Sequence, residues 1–153
     1  RERVFLLSTT HGAESHALAA AIETIRVYRE LDVVSALYEK GRRLRVGLED
    51  ICRDAGLEKH LMVQGRDCGL LYVTRGPDGV PSQAFRTLFL QELIQAGVLA
   101  PSFFVSYSHT DEDIDRTLGA VERAVWAYRR ALEGSIDDML RGRPSRPVFR
   151  RHC

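Results

Sequence analysis

At 153 residues, the chain is long enough to form one domain with its own hydrophobic core. Its composition, 44% hydrophobic and 28% charged, is typical of a globular protein, and no apolar run approaches the roughly 20 residues of a membrane-spanning helix. The apolar run at residues 4–7 is too short for the core of a secretory signal, so the sequence predicts a cytoplasmic protein without membrane contact. Its three cysteines lack C-x-x-C spacing, so we expect neither a metal site nor a disulfide framework.

The net charge of +1 conceals a basic end to the chain. Five arginines and no acidic residue occur from position 141 onward: Arg141, Arg143, Arg146, Arg150 and Arg151. A segment of this kind can contact RNA or an acidic partner. Because Pro144 and Pro147 indicate an extended tail and no aromatic-interleaved basic face accompanies it, we predict a solvated tail and no nucleic-acid binding.

Four segments carry apolar residues at helical spacing. The first helix is predicted over residues 14–30 and the second over residues 34–51. The third begins after Ser82, a residue suited to cap a helix, and should end at Gly97. The fourth begins after Thr110, where a run of acidic residues favours a helix N-terminus.

Shorter apolar segments between these helices predict strands. Residues 61–64 and 69–74 are joined by a glycine-containing turn and indicate an antiparallel pair, while residues 103–107 predict a further strand. The Gly-Pro-Asp-Gly sequence at 76–79 is a strong turn signal. The order of elements therefore predicts an α+β fold, in which a small antiparallel sheet is covered by helices.

The segment most suited to a binding site is 8–14, with the sequence STTHGAE. Three hydroxyl groups, a histidine and a glycine stand directly before a predicted helix N-terminus. Side chains, backbone N–H groups and the helix dipole can together bind an anion there, and phosphate is the natural candidate. A second interpretation stays open, in which these residues only cap the helix.

Two segments resemble the class III aminotransferases, which depend on pyridoxal 5'-phosphate (PLP). Residues 8–21, STTHGAESHALAAA, are similar to the family segment in which a threonine precedes an alanine-rich helix. Residues 100–114, APSFFVSYSHTDEDI, are similar to the last strand and last helix of the family. The likeness is greatest to the glutamate-1-semialdehyde 2,1-aminomutase-like branch.

This resemblance implies that the chain is the C-terminal part of a fold-type I PLP enzyme that transfers an amino group between a small-molecule donor and acceptor. Residues 1–30 would be the end of the large PLP-binding domain with a long linking helix, residues 31–134 the small C-terminal domain, and residues 135–153 the basic tail. Thr10 aligns with the family threonine that binds the PLP phosphate of the neighbouring subunit across a homodimer interface. Thr10, with His11 beside it, is the implied cofactor-binding pair.

No residue of the chain is predicted to be catalytic. PLP enzymes need a lysine that forms a Schiff base with the cofactor, and in the family it precedes the segment that this chain resembles. Lys40 and Lys59, the two lysines present, lie among charged residues, which is typical of a solvated surface. The chain alone is therefore not expected to be an enzyme.

Two other interpretations of the whole chain stay open. It could be a non-catalytic α+β module for binding or dimerisation, or a split subunit that pairs with a PLP-domain chain carrying the lysine. His109 has two interpretations as well. It could bind a substrate carboxylate, or it could order the turn that precedes the fourth helix.

Overall fold

A computed structural model describes residues 14–146. Thr10 and His11, the implied cofactor-binding pair, lie outside the described residues. The chain divides into two compact units, Arg1–Ala36 and Leu37–Cys153. The boundary between these units falls inside a long helix, Val33–Asp54.

The described part of the first unit consists mainly of helix α1, Ser15–Glu30, which matches the prediction for residues 14–30. None of the residues in Ser15–Glu30 is buried. Its apolar side chains include Ile22, which is 70% exposed, and Ile25, which is 53% exposed. Asp32 follows with a φ of 44°, a left-handed conformation that aspartate tolerates better than most residues, and α2 begins at Val33.

The second unit contains most of α2 (Val33–Asp54) and all the remaining regular elements. In chain order these are β1 (Leu61–Arg66), β2 (Gly69–Thr74), α3 (Gln83–Gln95), β3 (Phe103–Phe104) and α4 (Asp111–Glu133). The three strands form one antiparallel sheet in the order β1-β2-β3. The predicted α+β class, with a small antiparallel sheet covered by helices, is confirmed.

The β1–β2 hairpin is held closely against α2. The strands pair from Leu61 opposite Thr74 to Arg66 opposite Gly69, so two residues form the turn. Arg45 of α2 donates from Nε to the carboxylate of Asp67 at 2.6 Å and from its guanidinium to the Gly65 carbonyl at 2.6 Å. These contacts tie the turn to the helix.

The third strand is shorter than predicted for residues 103–107, because only Phe103 and Phe104 pair with β2. The backbone N–H of Ser106 donates instead to Nδ1 of His109 at 3.1 Å, and the Ser106 carbonyl accepts from the His109 N–H at 3.2 Å. The Ser106 N–H and carbonyl are therefore bonded to His109 and not to another strand.

The core lies between one face of the sheet and helices α2, α3 and α4. Leu70 and Tyr72 of β2 point into it and are 0% and 4% exposed. The Tyr72 ring contacts Phe89 at a centroid distance of 5.0 Å and Phe103 at 5.6 Å, in edge-on and tilted arrangements that aromatic pairs favour. Tyr128 of α4 is fully buried.

The segment after α4 runs along α3, and residues 141–146 of the predicted solvated tail are exposed. Gln91 donates to the carbonyl of Met139 at 3.0 Å and accepts from the N–H of Arg141 at 2.8 Å. Thr87, one turn earlier on α3, accepts from the N–H of Ser145 at 2.8 Å. Ile136, Met139 and Leu140 are partly buried against the core. Within residues 14–146, no helix is long and apolar enough to cross a membrane.

Candidate functional site

The second unit contains a cleft of about 150 Å³ between the segment around β3 and the first turns of α4. We call it the β3–α4 cleft. Eight apolar and four polar residues line it. The lining residues are Leu44, Val98, Leu99, Ala100, Ser102, Phe103, Phe104, Val105, His109, Asp113, Ile114 and Thr117.

These walls come from distant parts of the chain. The stretch from 98 to 117 supplies all the lining residues except Leu44, which α2 contributes. The resemblance at residues 100–114 pointed to most of this stretch, whereas no local pattern marks Leu44 as a cleft residue. A single apolar residue in a helical stripe predicts burial and does not indicate what it faces.

The α4 end of the cleft is fixed by a capping box. The Thr110 hydroxyl accepts from the Asp113 N–H at 3.2 Å, and the Asp113 carboxylate accepts from the Thr110 N–H at 2.8 Å and from its hydroxyl at 2.9 Å. The hydrogen bond from the Thr110 backbone N–H makes the largest contribution to lowering the pKa of Asp113, and the bond from the Thr110 hydroxyl makes the next largest. The predicted helix cap is confirmed, and it places an ionised carboxylate at the cleft wall.

His109 stands directly before this cap and orders the turn through Ser106. Its Nδ1 accepts the Ser106 N–H, as described above, so this nitrogen is engaged within the protein. The geometry supports the interpretation of His109 as a turn-ordering residue. The half-buried imidazole also forms part of the cleft wall.

Basic residues of α2 contact the turn before α4, and the first residues of α4, from outside the cleft. Lys40 donates from Nζ to the carbonyl of Tyr107 at 2.6 Å and lies 5.2 Å from the centroid of its ring. Arg43 bridges the carboxylates of Asp111 and Asp115, each at 2.6 Å. Exposed ion pairs of this kind contribute about 0–1 kcal/mol each, so they orient the turn more than they stabilise the fold.

The lining of the β3–α4 cleft does not fit the binding of PLP by itself. Neither a lysine nor an arginine lines the β3–α4 cleft, so it offers no amine for a Schiff base and no cation for a phosphate. Lys40 is engaged with Tyr107, and Lys59 is exposed after α2. Within residues 14–146, this part of the molecule can supply walls to a site but not the attachment of the cofactor.

A second, larger cleft of about 360 Å³ lies between the end of α2 and β1, and it contains Cys52. Burial, with smaller contributions from Glu58 and Glu49, raises the pKa of the Cys52 thiol to about 12. A thiol with this pKa stays protonated at neutral pH and is a poor nucleophile. Cys52 is therefore a core residue.

Comparison with known proteins links this chain to PLP enzymes. No family model matches it. It is 37% identical over 128 residues to a glutamate-1-semialdehyde 2,1-aminomutase from Desulforudis audaxviator, a match that covers 77% of this chain and 29% of the relative. It is 28% identical over 138 residues to a 3-aminobutyryl-CoA aminotransferase from Cloacimonas acidaminovorans, covering 86% of this chain and 32% of the relative.

Among solved structures, the chain is similar to the FumI protein of Sphingopyxis sp. MTA144, whose structure is that of its PLP internal aldimine form. The TM-score is 0.62 and the identity 32%, over 75% of this chain and 27% of that protein. The chain thus spans about a third or less of the length of the proteins that it matches.

Proposed function

Because this chain belongs to the class III PLP-dependent aminotransferases and corresponds to their C-terminal part, we propose that it completes an enzyme that transfers an amino group with PLP as its cofactor. The observation that carries the proposal is the similarity over three quarters of the chain to an aminomutase and to a PLP enzyme of known structure. Bound PLP supplies an electron sink for the carbon that carries the amino group.

In this proposal, residues 31–134 form the small domain at the substrate entrance, and residues 135–153 form its basic tail. The apolar lining of the β3–α4 cleft excludes water from the bound substrate and orients the part of it that does not react. The Schiff-base lysine comes from outside these 153 residues, either on the same polypeptide or on a partner chain. The positions of Lys40, which donates to the Tyr107 carbonyl, and of Lys59, which is exposed, support a Schiff-base lysine elsewhere.

The proposal assigns cofactor contacts to the loop before α1. In a homodimer, Thr10 would donate its hydroxyl to the PLP phosphate of the neighbouring subunit, with His11 as a second donor. The support is the sequence at residues 8–21, where hydroxyl groups precede the N-terminus of an alanine-rich helix. Anions bind favourably at such a helix end.

The test is PLP binding and amino transfer by the complete protein that contains this chain. A hydrogen bond to a charged group contributes roughly 1.5–3 kcal/mol, so Thr10→Ala should weaken PLP binding by about ten- to a hundredfold. Thr24→Ala is the control, because its hydroxyl lies outside this segment and donates to the Ala20 carbonyl within α1 at 2.8 Å, so PLP affinity should stay unchanged.

Other results would contradict parts of the proposal. Equal PLP affinities of the Thr10→Ala variant and the unmodified protein would make Thr10 a helix cap only. A complete protein that dimerises without binding PLP would support the alternative of a non-catalytic dimerisation module. PLP binding and activity that appear only when a second, lysine-bearing chain is added would identify a split subunit.

A further inference from the structure

Two side chains from different elements hold the carbonyl groups of Ala100, which lines the β3–α4 cleft, and of Pro101, which follows it. Tyr72 of β2 donates its hydroxyl to the carbonyl of Ala100 at 3.1 Å, and Arg86 of α3 donates to the carbonyl of Pro101 at 2.7 Å. The Arg86 guanidinium also stacks on the Tyr72 ring, 4.6 Å from its centroid. We call this pair the Tyr72–Arg86 brace.

Both side chains are protonated and can donate these hydrogen bonds. Burial raises the pKa of the Tyr72 hydroxyl, while the charge of Arg86 acts in the opposite direction, so the hydroxyl remains a protonated donor. Within residues 14–146, no ion pair joins Arg86 to a carboxylate, although several other arginines of the chain form such pairs. Arg86 donates instead to two backbone carbonyls, that of Pro101 at 2.7 Å and that of Tyr72 at 3.5 Å.

Both peptide planes of this turn are fixed as a result. The Ala100 carbonyl belongs to the peptide that enters Pro101, and the Pro101 carbonyl belongs to the peptide that leaves it. The proline ring fixes the φ angle between them. Leu99 and Ser102, on either side, line the cleft, so the brace holds the backbone that carries them.

We propose that Tyr72 and Arg86 are positioning residues that hold residues 99–102 in the shape that receives the non-reacting part of the substrate. This inference rests on the proposed function. A wall that is ordered before binding loses less conformational freedom when substrate arrives, which favours affinity. Because the wall contacts substrate equally before and during the reaction, loss of the brace raises KM and leaves kcat nearly unchanged.

The experiment compares Tyr72→Phe and Arg86→Gln in the active enzyme. One neutral hydrogen bond corresponds to about a fivefold effect and one from a charged donor to about tenfold, so KM should rise by these factors, with kcat within about twofold. In the chain itself, amide hydrogen exchange in β3, at Phe103 and Phe104, which follow the braced segment directly and pair with β2, should become faster in both variants.

Matched controls separate positioning from general stability. Tyr128→Phe removes the hydroxyl of another buried tyrosine whose partners are the carbonyls of His60 and Arg75, outside the cleft. Arg129→Gln removes an arginine that stacks on Trp126, 5.7 Å from the centroid, on the exposed face of α4. Both controls should leave KM and the exchange of Phe103 and Phe104 unchanged.

Each contrary result has a distinct meaning. Faster exchange with an unchanged KM would make the brace purely structural and overturn the inference, while the proposed function would stand. An equal rise of KM in Tyr128→Phe would trace the effect to general destabilisation and would also overturn it. Absence of PLP-dependent amino transfer in the unmodified complete protein would overturn the proposed function, and the inference with it.

Discussion

Replacing Gly41 by alanine should destabilise the fold although it improves helix propensity. A Cβ on Gly41 would stand less than 3.0 Å from the Asp67 carbonyl oxygen and 3.2 Å from the Cys68 nitrogen, so the hairpin turn must move away from α2. Alanine gains about 1 kcal/mol over glycine inside a helix. Overpacking costs about 1–3 kcal/mol, and the displaced turn also weakens the Arg45–Asp67 ion pair. We expect a net loss of about 1–2 kcal/mol.

Gly119→Ala is the control, because Gly119 also lies inside a helix and a Cβ there meets no atom within 4 Å. This change should stabilise the chain by about 0.5–1 kcal/mol. Urea unfolding followed by circular dichroism measures both differences, and the unfolding temperatures should diverge, at roughly 2–4 °C per kcal/mol. If Gly41→Ala also stabilises the chain, α2 does not approach the hairpin turn as closely as described.

Two further predictions concern the core and the cap of α4. The Tyr128 hydroxyl bonds to the N–H of Arg75 at 2.9 Å and to its carbonyl at 2.7 Å. Tyr128→Phe removes this partner, so urea unfolding should show that the free energy of unfolding falls by about 1–3 kcal/mol. Because the pKa of Asp113 is lowered in the folded chain, its cap contributes stability above the unfolded pKa of about 4 and loses it as pH falls through the folded pKa. Asp113→Asn should therefore make the unfolding temperature less dependent on pH below about 4, and an unaltered dependence would contradict this role.

Features that depend on neighbouring residues were predictable from the sequence. The start of α4 follows from Thr110 and the acidic residues after it, and the hairpin follows from two apolar runs around a short turn. In both cases the deciding hydrogen bonds join residues a few positions apart. Local chemistry then determines local structure.

Features that depend on contacts between distant residues were not predictable. Strand β3 ends at Phe104 because this residue already pairs with Gly69, the first residue of β2, and residues after α4 dock because Gln91 meets their backbone. The Tyr72–Arg86 brace joins two elements to a loop that follows both of them. Nothing in the sequence around a tyrosine in a strand or an arginine in a helix indicates that both will bond to the same loop.

The central claim is that residues of this chain shape the site while the cofactor is attached elsewhere. The most direct measurement is borohydride reduction of the active, PLP-loaded protein that contains this chain, followed by mass spectrometry of its peptides. We expect one stoichiometric adduct, on a lysine outside these 153 residues, and none on Lys40 or Lys59. A stoichiometric adduct on Lys40 or Lys59 in a protein that transfers amino groups would contradict the account.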